Sequence, residues 1–226
     1  MSAEAKTTVR VLLGDDHRIV REGLKMVLAD DPLLQVVAEA DSGPAVLDAV
    51  QALQGPQGLD VVLLDIALPG LDGLDVLQRL RRDWPALPVL MLSTYPEKQY
   101  AVRCLQLGAA GYLNKGTDPD ALMAALRRVA AGGLHVTPAT AEALAKLVGQ
   151  GRTKTGIDLL SHREHQVYVL LTQGRSVSEI GAQLGLAANT VSTYRARILE
   201  KTGTKNDVEL ALYAQSQGAS RPIAGD

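Results

Sequence analysis

This chain of 226 residues has only one cysteine and no long apolar run, and both features exclude classes of protein. A single cysteine, Cys104, rules out an internal disulfide and fits a reducing cytosol. We expect Cys104 to be a buried structural thiol in a helix. No apolar run approaches the roughly 20 residues that span a bilayer, and the polar N-terminus lacks the apolar stretch of a signal peptide. We therefore expect a soluble, cytoplasmic protein with no membrane partner.

The chain also lacks an excess of charge of either sign. It has 23 lysines and arginines against 25 aspartates and glutamates, which gives a formal net charge of −2. The chain as a whole therefore has no positive field that would predict nucleic-acid binding. If it binds nucleic acid, a local patch of basic residues has to provide the contact. With 46% hydrophobic residues, the composition is that of a globular protein long enough for one large domain or two small ones.

The first half of the chain alternates short, branched apolar runs with helical patterns. This alternation predicts an α/β domain, a (βα)5 unit with a doubly wound parallel sheet. Its last helix has a clear start, with Asp118 as N-cap and Pro119 in the first turn. Four apolar runs are evident, at 9–13, 61–64, 89–92 and 111–113, and helical patterns fill about 17–30, 43–54, 73–83, 96–107 and 119–131.

The strand pattern disappears in the second half. A short helical stretch, 139–148, is followed by a polar linker over 149–156. Four short helices follow, at about 161–173, 176–184, 188–202 and 206–217, and Ser161 with Glu164 forms a capping box at the first. We therefore predict an α/β domain over 1–131, a linker with a short helix over 132–155, a small all-α domain over 156–219 and a tail over 220–226.

The apolar runs of the first half end on polar residues that could handle a phosphoryl group. They run into Asp15 and Asp16, into Asp65, into Ser93 and into Lys115. Because the carboxyl ends of parallel strands meet at one edge of a sheet, these side chains should converge there. Three clustered carboxylates repel each other unless a cation sits among them. The pattern predicts Mg²⁺ bound by Asp16 and Asp65, with Asp15 holding a metal-bound water.

Each side chain of this predicted site has a chemical role available. Asp65 keeps one oxygen free as a nucleophile towards a phosphorylated donor. Lys115 supplies a point charge to that carboxylate and later to the phosphoryl oxygens, and Ser93 supplies a hydroxyl donor. A single Asp after a strand is more often a helix cap or a solvated loop residue, so the prediction depends on the whole group and not on Asp15 alone.

Residues 9–131 closely resemble the receiver domain of two-component response regulators. The match is specific because five pieces occur in order at strand ends. Two departures are small: Ser93 stands where Thr is more usual and keeps the hydroxyl, and Gly116 stands where many receivers have Pro. The matching pieces are Asp15-Asp16, residues 65–73, Ser93-Thr94 and residues 108–115.

This resemblance assigns roles that the residues alone do not. It implies that Asp65 is the phospho-acceptor for a sensor histidine kinase. It also implies that Ser93 and Tyr112 form a switch pair, in which Tyr112 turns inward after phosphorylation. The metal ligands that it implies are Asp15, Asp16, Asp65 and the carbonyl of Ala67.

The pattern over 176–202 is that of a helix-turn-helix, with Gly185-Leu186-Ala187 as the turn. One face of its second helix has only small or polar side chains, which can sit deep in a major groove. Four basic residues flank that face against one acidic residue, so the local charge over 187–205 is +3. The face consists of Asn189, Ser192, Thr193 and Ala196, and the flanking cations are Arg195, Arg197, Lys201 and Lys205.

Residues 159–217 look like the LuxR-type helix-turn-helix of the NarL/FixJ response regulators. Stretches 160–164, 174–181, 184–186, 190–194 and 197–201 match. The departures include Ala187, which loses a helix cap, and Asn189, where Lys is frequent. We expect Arg195 and Arg197 to contact phosphates, while Ser192 and Thr193 face bases. The full set of expected DNA contacts is Asn189, Thr190, Ser192, Thr193, Arg195, Ala196, Arg197 and Lys201.

These observations predict a phosphorylation-dependent transcriptional regulator and not an enzyme. A histidine kinase would phosphorylate Asp65, and sequence-specific DNA binding by the helical half, as a homodimer, would follow. The alternative within this class is a phosphorylation-independent DNA-binding regulator whose receiver serves only for dimerisation. A hydrolase or phosphatase on the same acidic site would need a second catalytic base, and only His17 lies near. A pure interaction protein would use the helical half to bind protein.

Overall fold

The computed structural model describes residues 8–53, 58–95, 97–149 and 156–216. The chain divides into two compact units, Met1–Gly151 and Arg152–Asp226, and each is described by itself. The division falls in the stretch 150–155, so most of the predicted polar linker lies outside the described residues, as do the N-terminus before residue 8 and the predicted tail 220–226. The domain boundaries at 131 and 155 remain predictions.

A parallel sheet of five strands forms the centre of the first unit. Its order is β2-β1-β3-β4-β5, and every neighbouring pair is parallel. The chain therefore leaves β1 towards one edge and returns to the other side of it, which confirms the predicted doubly wound fold and places the switch point between β1 and β3. The strands are β1 (Val9–Gly14), β2 (Leu34–Ala40), β3 (Val61–Leu64), β4 (Val89–Ser93) and β5 (Gly111–Asn114).

Helices cover both faces of this sheet. Because strand side chains alternate between faces, Leu12 and Val62 pack into one core and Val11 and Leu63 into the other. The first core is closed by α2, α3 and α4, where Cys104 is fully buried as predicted, and the second by α1 and α5. These helices are α1 (Arg18–Ala29), α2 (Gly43–Leu53), α3 (Gly73–Asp83), α4 (Glu97–Gln106) and α5 (Pro119–Ala130).

Strand β2 is the element for which the sequence offered no apolar run. Its residues are buried only at the two ends, Leu34 and Ala40, and are partly or fully exposed between. An edge strand pairs on one side only, here with β1, so it needs no continuous apolar sequence.

Side-chain caps fix the starts of α3 and α5. Asp118 accepts a hydrogen bond from the backbone N–H of Asp120, with Pro119 in the first turn, as the sequence predicted. Asp72 does the same for Leu74 at the start of α3. Gly73 follows Asp72 where a Cβ would lie 2.0 Å from the carbonyl oxygen of Asp65. The start of α3 and the backbone at Asp65, which follows β3, therefore fit together only with glycine at position 73.

The segment after α5 packs back onto the first unit. The backbone of His135 bridges that of Gly111 on β5, and its N–H donates to the carbonyl of Ala110 at 2.8 Å. The predicted short helix is present as α6 (Pro138–Gly149), which lies against α4. The hydroxyls of Thr137 and Thr140 both donate to Glu97, the latter at 2.6 Å. The backbone at His135 thus packs against β5, and α6 packs against α4.

The second unit is helical throughout its described part. A single 3₁₀ turn, Gly156–Leu159, precedes α7, and the helices enclose a small core centred on Tyr168, Ile180 and Ile198. The predicted Ser161–Glu164 capping box is present, and a second, Ser176–Glu179, opens the next helix. The helices are α7 (His162–Thr172), α8 (Val177–Leu184), α9 (Ala188–Thr202) and α10 (Asp207–Ser216).

Two glycines make the turn between α8 and α9 possible. Gly185 ends α8 with φ of 64°, in the left-handed region that glycine tolerates best. The carbonyl of Gly181 accepts from the N–H of Leu186, and a Cβ on Gly181 would lie 2.7 Å from the Leu186 oxygen. As expected, Ala187 at the start of α9 provides no side-chain cap.

None of the helices in the described ranges is both long enough and apolar enough to cross a membrane.

The contact at Gly73 yields a stability prediction. Gly73→Ala should lower the free energy of unfolding of the first unit by about 2 kcal/mol or more, since the new methyl group meets backbone that cannot move away. The matched control is Gly23→Ala in α1, where a Cβ meets nothing within 4 Å. That variant should gain roughly 0.5–1 kcal/mol, because alanine favours the helix. The measurement is urea unfolding of both variants. An equal loss of stability in Gly73→Ala and Gly23→Ala would contradict the close contact between Gly73 and the backbone of Asp65.

Candidate functional site

Acidic side chains from two neighbouring strands meet at the carboxyl edge of the sheet. Asp15 follows β1 and Asp65 follows β3, and the N–H of Asp65 donates to the carbonyl of Gly14 at 2.8 Å. One ligand atom each from Asp15, Asp16, His17 and Asp65 lie within 4.8 Å of one another. Asp15 and Asp65 are buried, whereas Asp16 and His17 are exposed. The predicted convergence of the three carboxylates is therefore present.

Lys115, from the end of β5, joins the two buried carboxylates. Its Nζ lies 2.6 Å from Oδ2 of Asp15 and 2.8 Å from Oδ2 of Asp65. Burial opposes the charge of the ammonium, but the hydrogen bonds to Asp15 and Asp65 outweigh it and hold the pKa of Lys115 above its ordinary value. Lys115 is therefore a permanent cation in the neutral range and offsets part of the repulsion between the carboxylates.

One oxygen of the acidic group lacks a protein partner. Oδ1 of Asp65 is buried and makes no hydrogen bond within the described residues, although Asp65 as a whole is only 3% exposed. A buried carboxylate oxygen without a donor is costly unless a cation approaches it. The site also offers only oxygen donors besides His17, which is the ligand set that Mg²⁺ prefers. The residues present therefore fit a hard divalent cation.

Ala67 and His17 lie at the margin of this site. Ala67 is half-buried in the loop between β3 and α3, two residues beyond Asp65. His17 is exposed, and its Nδ1 is 2.7 Å from Oδ1 of Asp16, while its backbone N–H donates to Oδ1 of Asp15 at 2.8 Å. Sequence reasoning missed this contact. The sequence did contain a signal for this contact, because His17 directly follows Asp15 and Asp16. His17 was considered there only as a possible catalytic base.

The predicted switch pair lies next to Lys115, on β4 and β5. Ser93 is fully buried, and its backbone carbonyl accepts from the N–H of Lys115 at 2.9 Å. Tyr112 is also buried, and its hydroxyl donates to the carbonyl of Tyr95 at 2.6 Å, so the ring already lies inward in this structure. Burial raises the pKa of Tyr112 well above its ordinary value, which keeps the hydroxyl a donor. Tyr95 in turn stacks against Tyr100 of α4, with ring centroids 4.9 Å apart.

The second helix of the helix-turn-helix, α9, presents the face that the sequence predicted. Val191 and Ile198 are buried against the core of the second unit. Arg195 is partly buried and donates from Nε to Oδ1 of Asp207 at 2.7 Å, and Lys201 lies 2.6 Å from Glu164. The expected contacts that are exposed to solvent are Asn189, Thr190, Ser192, Thr193, Ala196, Arg197 and Lys201.

An acidic site at the end of a parallel sheet, followed by a helix-turn-helix unit, defines the class of response regulators. Residues 11–127 match the family model of the response regulator receiver domain, and residues 158–214 match that of the bacterial regulatory proteins of the luxR family. The chain therefore belongs to the response regulators that join a receiver domain to a LuxR-type helix-turn-helix. It is a phosphorylation-dependent transcriptional regulator of the two-component type, as the resemblance implied.

Known response regulators are similar to this chain over nearly their whole length. The chain is 40% identical over 211 residues to the response regulator GacA of Pseudomonas viridiflava, covering 93% of this chain and 97% of GacA. It is 42% identical over 203 residues to the transcriptional regulatory protein UhpA of Escherichia coli K12, covering 90% and 96%. Among solved structures, RcsB of Salmonella enterica serovar Typhimurium, bound to promoter P1flhDC in the presence of the phosphomimetic BeF3⁻, gives a TM-score of 0.57 at 25% identity, covering 93% of this chain and 99% of RcsB.

Removing the Lys115 ammonium should expose the repulsion that it offsets. In EDTA, Lys115→Met should lower the free energy of unfolding by about 3 kcal/mol, the scale for breaking a buried ion pair. Added Mg²⁺ should then recover more stability in the variant than in the wild type, because two uncompensated carboxylates attract the ion more strongly.

The measurement is urea unfolding with and without Mg²⁺. Lys25→Met serves as the control, since Lys25 is a half-exposed lysine whose pairs with Glu22 and Glu39 lie at the surface. Its loss should cost at most about 1 kcal/mol and leave the response to Mg²⁺ unchanged. An Mg²⁺ response that is equal in the wild type and in Lys115→Met would contradict the role of Lys115.

Proposed function

We propose that Asp65 accepts a phosphoryl group from a sensor histidine kinase and that this step controls sequence-specific DNA binding by the helix-turn-helix. The observation that carries the proposal is the arrangement at Asp65, where Lys115 holds Oδ2 and Oδ1 has no protein partner. A carboxylate held on one side and free on the other is a positioned nucleophile. Family membership supports the same chemistry.

The metal site in this proposal consists of Asp15, Asp16, Asp65 and the carbonyl of Ala67. When bound there, Mg²⁺ would neutralise the charge that accumulates on the phosphoryl oxygens. An oxygen of Asp65 attacks phosphorus, a new O–P bond forms, and the N–P bond of a phosphohistidine breaks with its electron pair passing to the donor imidazole. Lys115 then has a phosphoryl oxygen to bind in addition to Asp15, and the buried hydroxyl of Ser93 supplies a second donor.

Transmission from this site would pass through the pair Ser93 and Tyr112. When the Ser93 hydroxyl turns to the phosphoryl group, the loop after β4 moves with it, and the Tyr112–Tyr95 hydrogen bond, already formed in this structure, couples that loop to β5. The loop leads directly into α4, and Tyr95 stacks on Tyr100 of that helix. The surface around β4 and α4 is therefore the element that we expect to repack.

The DNA-binding part of the proposal rests on α9. Its exposed face, Asn189, Thr190, Ser192, Thr193 and Ala196, is small enough to approach base edges, and exposed Arg197 lies one turn after Thr193. One helix-turn-helix covers one half-site, so two copies are needed for a symmetric operator, and we propose a homodimer when the protein is phosphorylated. Cytoplasmic location follows from the proposed partners, DNA and the kinase.

The phospho-acceptor is tested by labelling with a small phosphodonor. Wild-type protein should be labelled in the presence of Mg²⁺ and not in EDTA, and Asp65→Asn should not be labelled because it lacks the nucleophilic carboxylate. Asp118→Asn, at an exposed helix cap where Asn keeps the capping oxygen, is the matched control and should be labelled like the wild type. Label that persists in Asp65→Asn would place the acceptor elsewhere.

Control of DNA binding is tested by affinity with and without the phosphodonor. Phosphorylation should raise the affinity of the wild type for its operator by about 5–150-fold, the usual range of coupling between two sites. Asp65→Asn should bind with the unphosphorylated affinity in both conditions, measured by fluorescence anisotropy. Equal affinity of the wild type in both conditions would favour the alternative, in which the receiver serves dimerisation only.

A further inference from the structure

Helix α9 uses two of its own cations to attach itself to neighbouring helices. The sequence predicts that Arg195 and Lys201 contact DNA, because both flank the exposed face. In the folded unit both side chains have carboxylate partners instead, Asp207 on α10 for Arg195 and Glu164 on α7 for Lys201. Arg197, between them in the sequence, is exposed and has no ion pair within the described residues.

The pair Lys201–Glu164 is the more buried of the two. The side chain of Glu164 is 3% exposed, accepts from the N–H of Ser161 at 2.6 Å as part of the α7 capping box, and receives Nζ of Lys201 at 2.6 Å. A carboxylate removed from water to this degree needs a cation, and Lys201 supplies it. The start of α7 is thereby tied to the last turn of α9.

The pair Arg195–Asp207 ties the middle of α9 to the first turn of α10. Nε of Arg195 lies 2.7 Å from Oδ1 of Asp207, and the two side chains are 35% and 44% exposed. Asp207 is also well placed on α10 itself, because an acidic residue in the first turn interacts favourably with the helix dipole. Arg195 is therefore held on the side of α9 that faces α10.

We propose that Glu164 and Asp207 are positioning residues for DNA binding. They hold Lys201 and Arg195, and through them fix the orientation of α9, while Arg197 makes the phosphate contact. This inference rests on the proposed function of the helix-turn-helix, and it replaces the expectation that Arg195 and Lys201 contact DNA. It predicts that two acidic residues strengthen binding to a polyanion, the opposite of what their charge alone would do.

The sign of the effect makes the inference testable with Asp207→Asn in the full-length protein. The probe is a random-sequence DNA duplex, binding is measured by fluorescence anisotropy, and every variant receives the same phosphodonor and Mg²⁺. If Asp207 positions α9, Asp207→Asn should weaken binding by about fivefold, a typical coupling between contacting residues. Glu200→Gln in α9 is the matched control, since Glu200 is exposed and its replacement also removes one negative charge. It should bind equally or more tightly.

Salt dependence separates positioning from phosphate contact. The slope of log affinity against log salt concentration falls by about 0.9 for each phosphate contact that is lost. Arg197→Ala should show that loss, whereas Arg195→Ala should lower affinity with little change of slope. Glu164→Gln should likewise weaken DNA binding, and circular dichroism checks that this variant folds. If Glu164→Gln does not fold, Asp207→Asn decides the test, because Asp207 is partly exposed and its replacement should not disturb folding.

The opposite results overturn the inference. Binding by Asp207→Asn that is as tight as or tighter than that of Glu200→Gln would mean that Asp207 competes with DNA for Arg195. A loss of slope of about 0.9 in Arg195→Ala would make Arg195 a phosphate contact. Failure of the wild type to bind any duplex is a separate outcome, which would contradict the proposed function and, with it, the inference that rests on it.

Discussion

The first unit depends on two buried carboxylates that one lysine holds together. Parallel strands bring their carboxyl ends to one edge, so Asp15 and Asp65 are forced near each other by the same pairing that builds the sheet. Such a pair repels, and Lys115 reaches both of them from β5, two strands away from β3. The strand order therefore determines both where the two carboxylates meet and where the lysine must lie. The two apolar cores hold the strands in that order.

A second buried carboxylate organises the helical unit in a comparable way. Glu164 caps its own helix and binds Lys201 from α9, so helix initiation and helix packing use the same side chain. In both units, then, a desolvated acid and a cation from a distant part of the chain determine how functional elements are oriented. The two carboxylates differ in how their oxygens are used. Asp65 has a buried Oδ1 that makes no hydrogen bond in the described structure, whereas at Glu164 a single oxygen, Oε2, accepts from both the cap and the lysine.

Sequence reasoning reached the features that depend on local pattern. Buried strands show continuous apolar runs, and caps such as Asp118 show fixed offsets, so the α/β class and most helices were predictable. Strand β2 was not placed because this edge strand carries no continuous buried run. The partners of Arg195 and Lys201 were not predictable because they lie on other helices. Spacing along one helix gives the side of a residue, but only the tertiary fold decides whether a flanking cation meets solvent or a carboxylate.

The contact of Thr137 and Thr140 with Glu97 bears on where this regulator can be divided. Glu97 belongs to the first turn of α4, and its hydroxyl partners come from a segment that a receiver cut after α5 would omit. A chimaera joined at residue 131 would leave Glu97 without these donors and the α4 surface without α6. These contacts favour a joint beyond α6 for exchanging receivers between proteins, which would make the interchangeable module longer than the five repeats of strand and helix.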